Sequence, residues 1–350
     1  MEESLPKLET TPISASRIKT FENCSWLYYS KYILKVPEPT NDGALKGSVC
    51  HNIFELLLNP KHKQKYKDII KAKSIKGRKS VERLVRKYIS FYKLRYTDQL
   101  FDHIDKMIMV GLNSDFFVKG GKLVKPEYEF NILNESPYYY IKGFIDKPFI
   151  KGNKIIIDDF KSSKKKFEGE DIESNLQGLI YSLACKKIWP ELKPEVRFIF
   201  LQFPDDPMLP VTFEEDALKG FEYYLESIQK QLDSFSSKHA YSNFAADQPM
   251  PSNGEFKGKL LCGFNSKPGE LKKDGTVKWG CPMKWSFYYY AVKKDGKIIK
   301  SYLKKEEVPT LKEGESIEEI YYEGCPKHRN VVEEIGDNKK LIKKDILDDF

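Results

Sequence analysis

The chain has 350 residues, with 59 Lys and Arg against 51 Asp and Glu, a formal net charge of +8. Hydrophobic residues make up 40% and aromatics 13%, which excludes a disordered chain despite 31% charged residues. No apolar run reaches the roughly 18 residues of a membrane span, and the opening Met1-Glu2-Glu3-Ser4 lacks the basic-then-apolar layout of a secretory signal. A cytoplasmic protein with no membrane association is therefore expected. The cationic surplus is compatible with a polyanionic partner without establishing one.

In chain order, Ser14-Ala15-Ser16 can cap a first helix that carries Ile18, Phe21, Trp26 and Tyr29 on a roughly helical spacing. A stretch containing Pro and Gly, residues 36–47, leads to a second helix predicted over 48–58, with Val49, Ile53, Leu56 and Leu57 on one face. Residues 61–79 carry nine Lys or Arg against one acid, Asp68. Residues 81–112 read as one or two amphipathic helices.

Three strand-like runs follow: 126–132, 138–150 and 154–161. The Gly152-Asn153 turn makes a hairpin of the last two. A helix is predicted over about 171–188, a short apolar strand over 196–202 and an amphipathic helix over 214–234. Beyond about residue 250, Asp274-Gly275 and Asp295-Gly296 signal further hairpins, and residues 339–350 read as a charged, flexible tail. The order of elements predicts a mixed α/β core.

One segment carries chemistry. Gly143-Phe-Ile-Asp146 ends one strand, and Ile155-Ile-Ile-Asp-Asp159-Phe-Lys161 forms the next. Residues two apart on a strand share a face, so Asp159 and Lys161 point the same way. If the strands pair across the turn, Asp146 lies beside Asp159. Two carboxylates suit a hard divalent ion, and a lysine beside them can position water and offset developing negative charge. A lone Asp-x-Lys is most often a pair of solvated charges. Here the motif closes an apolar Ile-Ile-Ile strand, where a buried charge is costly without a partner or a role.

With these residues in hand, the chain resembles the RecB-type branch of the PD-(D/E)XK nucleases, which includes CRISPR-adaptation nucleases and phage exonucleases. Five blocks match in order over residues 13–185. They are Ser14-Ala-Ser-Arg-Ile18 through Phe21-Glu-Asn-Cys24 and Tyr28-Tyr29, then Gly47-Ser-Val-Cys-His51, Gly143-Phe-Ile-Asp146, Ile157-Asp-Asp159-Phe-Lys161-Ser162 and Gln177-Gly-Leu-Ile-Tyr181. Ser25 stands where proline is commoner in the first block. The resemblance implies an α/β, restriction-endonuclease-like core with a mixed central sheet flanked by helices. It also implies metal ligation by His51, Asp146 and Asp159 with Mg²⁺ or Mn²⁺, and service of the attacking water by Lys161. Gln177 and Tyr181, four apart on one helix face, would orient the lysine or the DNA. Glu127 and Glu129 precede the site, and either could join it or simply face solvent.

Relatives often carry one cysteine in the first block and three near the C-terminus, together holding a [4Fe–4S] cluster. Cys24, Cys262, Cys281 and Cys325 would be that set, although the last three are farther apart here than the pattern has them. Zinc would accept the same four thiolates, and free buried thiols are the plainer alternative. Cys50 and Cys185 read as core residues.

The expected organisation is a nuclease core over 1–250 with a helical insertion at 60–118, a cysteine-bearing hairpin region over 251–338, and the tail. The expected activity is exonucleolytic, on single-stranded or end-containing DNA, in recombination, repair or phage DNA processing. A non-catalytic DNA-binding scaffold and a site-specific endonuclease are the alternatives. With no Gly-x-x-x-x-Gly-Lys-Ser/Thr loop, a helicase partner would be a separate chain, as would a recombinase or single-strand-binding protein. For DNA contact the sequence offers the 61–79 run and Lys164–Lys166. It also offers stacking by Tyr138–Tyr140 or Tyr288–Tyr290. The closing Asp-Ile-Leu-Asp-Asp-Phe350 resembles the acidic tips of single-strand-binding proteins, or is a plain frayed end.

Overall fold

The computed structural model describes residues 10–38, 42–92, 94–248, 261–263, 270–271, 273, 278–328, 331–335 and 338–342. The chain begins with α1 (Ala15–Asn23) and α2 (Ser25–Tyr28), then α3 (Asp42–Leu58), α4 (Lys63–Ala72), α5 (Lys79–Phe91) and α6 (Asp98–Asn113). Strands β1 (Lys122–Leu123), β2 (Tyr128–Glu135), β3 (Tyr138–Ile145), β4 (Lys147–Lys151) and β5 (Lys154–Lys161) follow. Next come α7 (Glu170–Glu173), α8 (Leu176–Ile188), β6 (Lys193–Phe200), β7 (Met208–Val211) and α9 (Glu215–Asp233). The last elements are β8 (Phe287–Lys294), β9 (Lys297–Tyr302), β10 (Glu315–Tyr322), β11 (Val331–Ile335) and β12 (Asn338–Ile342). They divide into two units: Met1–Ala15 with Thr40–Ser234, and Ser16–Pro39 with Phe235–Phe350. No helix among the described residues is long and apolar enough to cross a membrane.

The first unit is built on a five-stranded mixed sheet of order β1-β4-β5-β6-β7. Its β5–β6 pair is parallel and the other neighbours are antiparallel. This is the restriction-endonuclease-like α/β architecture. The alternation of β5 sorts its side chains onto two faces. Ile156 and Phe160 join a core with Val49, Ile53 and Phe54 of α3, Val85 and Ile89 of α5, and Ile104 and Ile108 of α6. Asp159 and Lys161 point the other way, toward α8. In α5 the buried Val81, Val85 and Ile89 recur every four residues, which gives the helix its single apolar stripe. Thr97 starts α6 by accepting the Leu100 N–H at 3.0 Å.

Some expectations differ from what is observed, and the helix expected over 171–188 is itself split into α7 and α8. The run 138–150 is not one strand: β3 pairs with β2 in a separate two-stranded sheet, and β4 pairs with β5. The chain changes sheets at Asp146, whose carbonyl accepts the Glu127 N–H at 3.0 Å. The helix predicted from residue 48 begins at Asp42 and runs through two glycines. Gly47 is needed there because a Cβ would lie 2.7 Å from Ser162 Oγ.

In the second unit, Trp26 and Val36 pack with Ala240, Met283, Tyr289, Ala291 and Tyr322 in one core. Residues 16–39, read from sequence as part of the nuclease core, thus pack with residues far along the chain. The three-stranded sheet of this unit has order β10-β8-β9. The Asp295-Gly296 turn joins β8 to β9, with both residues at positive φ, 51° and 74°. Residues 339–342, expected within the tail, belong to β12, which pairs with β11. Asp274-Gly275 and the closing six residues lie outside the described residues.

Candidate active site

Register brings the two acidic strand ends together. Lys147 pairs with Asp158, so Asp146 sits one step beyond, opposite Asp159. The Asp146 Oδ2 accepts the Phe160 N–H at 3.1 Å and lies 3.3 Å from His51 Nδ1. His51 Nε2 lies 3.0 Å from the Phe160 carbonyl oxygen. A carbonyl can only accept, so Nε2 carries a proton there, and Nδ1 is the ring atom that faces Asp146.

Glu127 completes this group: donor atoms of His51, Glu127 and Asp146 all lie within 4.8 Å of one another. Glu127 precedes β2 with a left-handed backbone, φ 47°, a conformation rare for a residue with a Cβ. Glu129, the other candidate, instead ion-pairs with Lys142 at 3.1 Å. Burial pushes the Asp146 carboxyl up to about 7, with Asp159 and Glu127 adding to it and His51 opposing. Burial also raises Glu127, helped by Glu55 and Asp159. A carboxylate pair that resists ionising together is one that a cation would hold.

Asp159, 2% exposed, sits in a second cluster. Its Oδ1 accepts from Gln177 Nε2 at 2.8 Å and from the Tyr181 hydroxyl at 3.2 Å. Lys161 Nζ lies 2.7 Å from Asp159 Oδ2 and donates to Gln177 Oε1 at 2.5 Å. Gln177 Nε2 also donates to the Tyr181 oxygen at 2.7 Å. The amide therefore has its acceptor end on the lysine and its donor end on the carboxylate. Asn175 fixes where α8 starts by accepting the Gly178 N–H at 3.0 Å. That start places Gln177 and Tyr181, one turn apart, toward β5.

The donor set fits a hard divalent ion: two carboxylates and an imidazole, with Asp159 adjacent. Asp159 Oδ2 is buried and receives no well-directed hydrogen bond even with Lys161 beside it. A cavity of about 430 Å³ opens onto the group, lined by Gly47, Ser48, His51, Glu127, Asp146 and Ser162 among others. Asn52, Glu55 and Tyr92 also line it and were not singled out from sequence. Asn52 lies one residue after His51 and Glu55 one turn beyond it, which was the available signal.

Asp158, between the apolar strand and Asp159, does something else. It is fully buried on the opposite face, 2.5 Å from Lys147 Nζ, 2.5 Å from Arg197 Nε and 2.9 Å from Arg197 Nη2. Sequence reading had no role for either cation.

The four cysteines come together in the second unit: Cys24, Cys262 and Cys325 belong to its buried core, with Cys281 packed against them. The Cys281 N–H donates to the Cys262 carbonyl at 2.8 Å beside the Gly263–Gly280 bridge. Cys24 Sγ accepts the Leu27 N–H at the start of α2. Burial pushes the Cys281 thiol up to about 12, and Cys24, Cys262 and Cys325 each add to the rise. Four thiols gathered in one core suit a shared cation or cluster. His328, unforeseen from sequence, has Nε2 3.4 Å from Cys262 Sγ. Cys50 and Cys185 are fully buried in the first unit. Of the tyrosines offered for stacking, Tyr139 is buried and donates to Glu222, whereas Tyr288 is 60% exposed.

Among solved structures, the chain is similar to that of a provisionally assigned exonuclease from Eubacterium rectale. The identity is 13% and the TM-score 0.42, over 67% of this chain and 86% of that one. None of the curated proteins compared with the chain matches it. The family model of the PD-(D/E)XK nuclease superfamily matches residues 12–255, a span that includes every residue of the two clusters above. Nucleases of this superfamily use divalent metals, as the donor set here would suit. The chain belongs to the PD-(D/E)XK nuclease superfamily.

Proposed function

We propose that the protein is a divalent-metal-dependent deoxyribonuclease of the RecB-type branch, acting as an exonuclease on single-stranded or end-containing DNA in recombination, repair or phage DNA processing. One observation carries the reading: the His51–Glu127–Asp146 donor group stands beside Asp159, Lys161, Gln177 and Tyr181. A scaffold protein has no use for that grouping.

In this reading His51, Asp146 and Asp159 hold Mg²⁺ or Mn²⁺, with Glu127 as a further ligand. The bound cation would polarise the phosphoryl oxygens and acidify a water. Lys161 keeps its ammonium beside the attack position because Asp159 and the Gln177 carbonyl hold it there. Its charge offsets the negative charge that builds on the phosphate. Tyr181 and the Gln177 amide group fix the Asp159 carboxylate so that one oxygen stays available. The Phe160 carbonyl fixes the His51 ring in the same way.

In the second unit, Cys24, Cys262, Cys281 and Cys325 hold a [4Fe–4S] cluster, a structural group in this reading. A visible absorption spectrum and metal analysis of anaerobically purified protein test it. A colourless sample with stoichiometric zinc would replace iron–sulfur by zinc, and a metal-free folded sample would remove the centre.

The main test is a Mg²⁺ or Mn²⁺ assay on end-labelled single- and double-stranded DNA, with Asp159→Ala and Lys161→Ala as controls. Progressive shortening by the wild type alone is expected. Equal activity in all three proteins would mean the site is wrong, and cleavage of closed circular DNA would replace exonuclease by endonuclease.

A further inference from the structure

The lysine run 61–79 is the conspicuous basic stretch of the sequence, yet no residue of it lines the catalytic cavity. A different basic group is assembled by the fold of the first unit. Lys46 lies on α3, directly before the cavity residue Gly47, and Lys164 follows the cavity residue Ser162 by two positions. Ser162 Oγ donates to the Gly43 carbonyl at 3.3 Å, and its contact with Gly47 leaves no room for a Cβ. The start of α3 and the exit of β5 are thereby held together.

The helix α6 packs along α3, with the Phe54 ring filling the space over Gly111, and brings up His103 and Lys106. His103 is half-buried, and its imidazole resists protonation: burial is the main cause, and Lys46, Lys164 and Lys106 add to it. Lys46, Lys106 and Lys164, from three separate segments, are thus all near enough to His103 to act on its charge. None of the three is ion-paired among the described residues, unlike Lys166, which meets Asp206 at 2.7 Å. Gathering like charges without carboxylates opposes folding. A polyanion bound there would offset that cost.

We propose that Lys46, Lys106 and Lys164 form a phosphodiester-backbone site beside the catalytic cavity, holding the strand next to the phosphate to be cut. The proposal rests on the nuclease reading and adds to it where the strand runs. These contacts are to backbone, so they position DNA without reading its sequence.

The test is equilibrium binding of an end-labelled single-stranded oligonucleotide across a NaCl series, with Ca²⁺ in place of Mg²⁺. Each phosphate contact contributes about 0.7 to the slope of log K against log salt for a single strand. The triple variant Lys46→Gln/Lys106→Gln/Lys164→Gln should lose about 2 units of slope. Lys63→Gln/Lys67→Gln/Lys71→Gln, on α4, should keep the wild-type slope. Lys106→Gln alone, on the exposed side of α6, should lose about 0.7 and guards against misfolding of the triple variant. An unchanged slope in Lys106→Gln and the triple variant, with salt-dependent binding and cleavage by the wild type, overturns this site and leaves the nuclease reading standing. Equal losses in the α4 variant would also overturn it. A wild type that shows no salt-dependent binding removes the nuclease reading and this site together.

Discussion

Replacing Asp158 by alanine removes the only carboxylate that touches both Lys147 and Arg197 among the described residues. Lys147 is 1% exposed, Arg197 6% and Asp158 0%. Lys147 also donates to the Phe116 carbonyl at 2.7 Å, with its ammonium 4.7 Å from the centre of the Phe116 ring. Arg197 reaches Asp115 at 3.3 Å, but that carboxylate is 40% exposed. Burial pulls the Lys147 pKa down, and Asp158 is the main group holding it up. Without Asp158 two buried cations lose their shared partner, a change that costs about 3–5 kcal/mol. In a domain of this size each kcal/mol moves the melting temperature by about 2–4 °C. Asp158→Ala should therefore melt on the order of 10 °C below wild type.

Asp159→Ala is the matched control on the neighbouring residue. It leaves Lys161 with the Gln177 carbonyl, so its melting temperature should stay within about 2 °C of wild type while cleavage is lost. Thermal unfolding by fluorescence, with the end-labelled assay run in parallel, gives both readings. If Asp158→Ala melts with the wild type, or if the two variants lose stability equally, the assignment of opposite faces to these residues is wrong.

Gln177→Ala should lower the cleavage rate by about 10²-fold, the scale expected when a catalytic group is displaced by about 1 Å. The Michaelis constant on the oligonucleotide should change little. Gly47→Ala puts a Cβ against Ser162, so it should cost about 1–3 kcal/mol in a melting experiment. Adding Ser162→Gly should recover most of that loss, and a double variant no better than Gly47→Ala would contradict the close approach. Mg²⁺ at about 100 times its dissociation constant should stabilise the apo protein by about 2.7 kcal/mol. Glu127→Gln should weaken that metal-induced shift in melting temperature, and EDTA should abolish cleavage by the wild type.

Much of the candidate site was legible because its residues obey local periodicities. Asp159 and Lys161 are two apart on a strand, and Gln177 and Tyr181 are four apart on a helix, so their shared faces follow from backbone geometry alone. The pairing of Asp146 with Asp159 followed from the two-residue turn at Gly152-Asn153, which sets the register. The α/β class was readable from the order of apolar runs.

Glu127 could not be told from Glu129 in the same way. Alternation places both on one strand face, but the left-handed backbone at Glu127 takes it out of the strand and to the candidate metal-binding group with His51 and Asp146. Asp158 looked like a spare acid because its partners lie 11 and 39 residues away, on β4 and β6. The packing of residues 16–39 with residues beyond 235, and the gathering of Cys24 with three thiols more than 230 positions later, are likewise contacts between segments. Local sequence determines which way a side chain points along its own strand or helix, since that depends on a few backbone angles. Which distant side chain it meets depends on how the elements pack, and only the tertiary structure decides that.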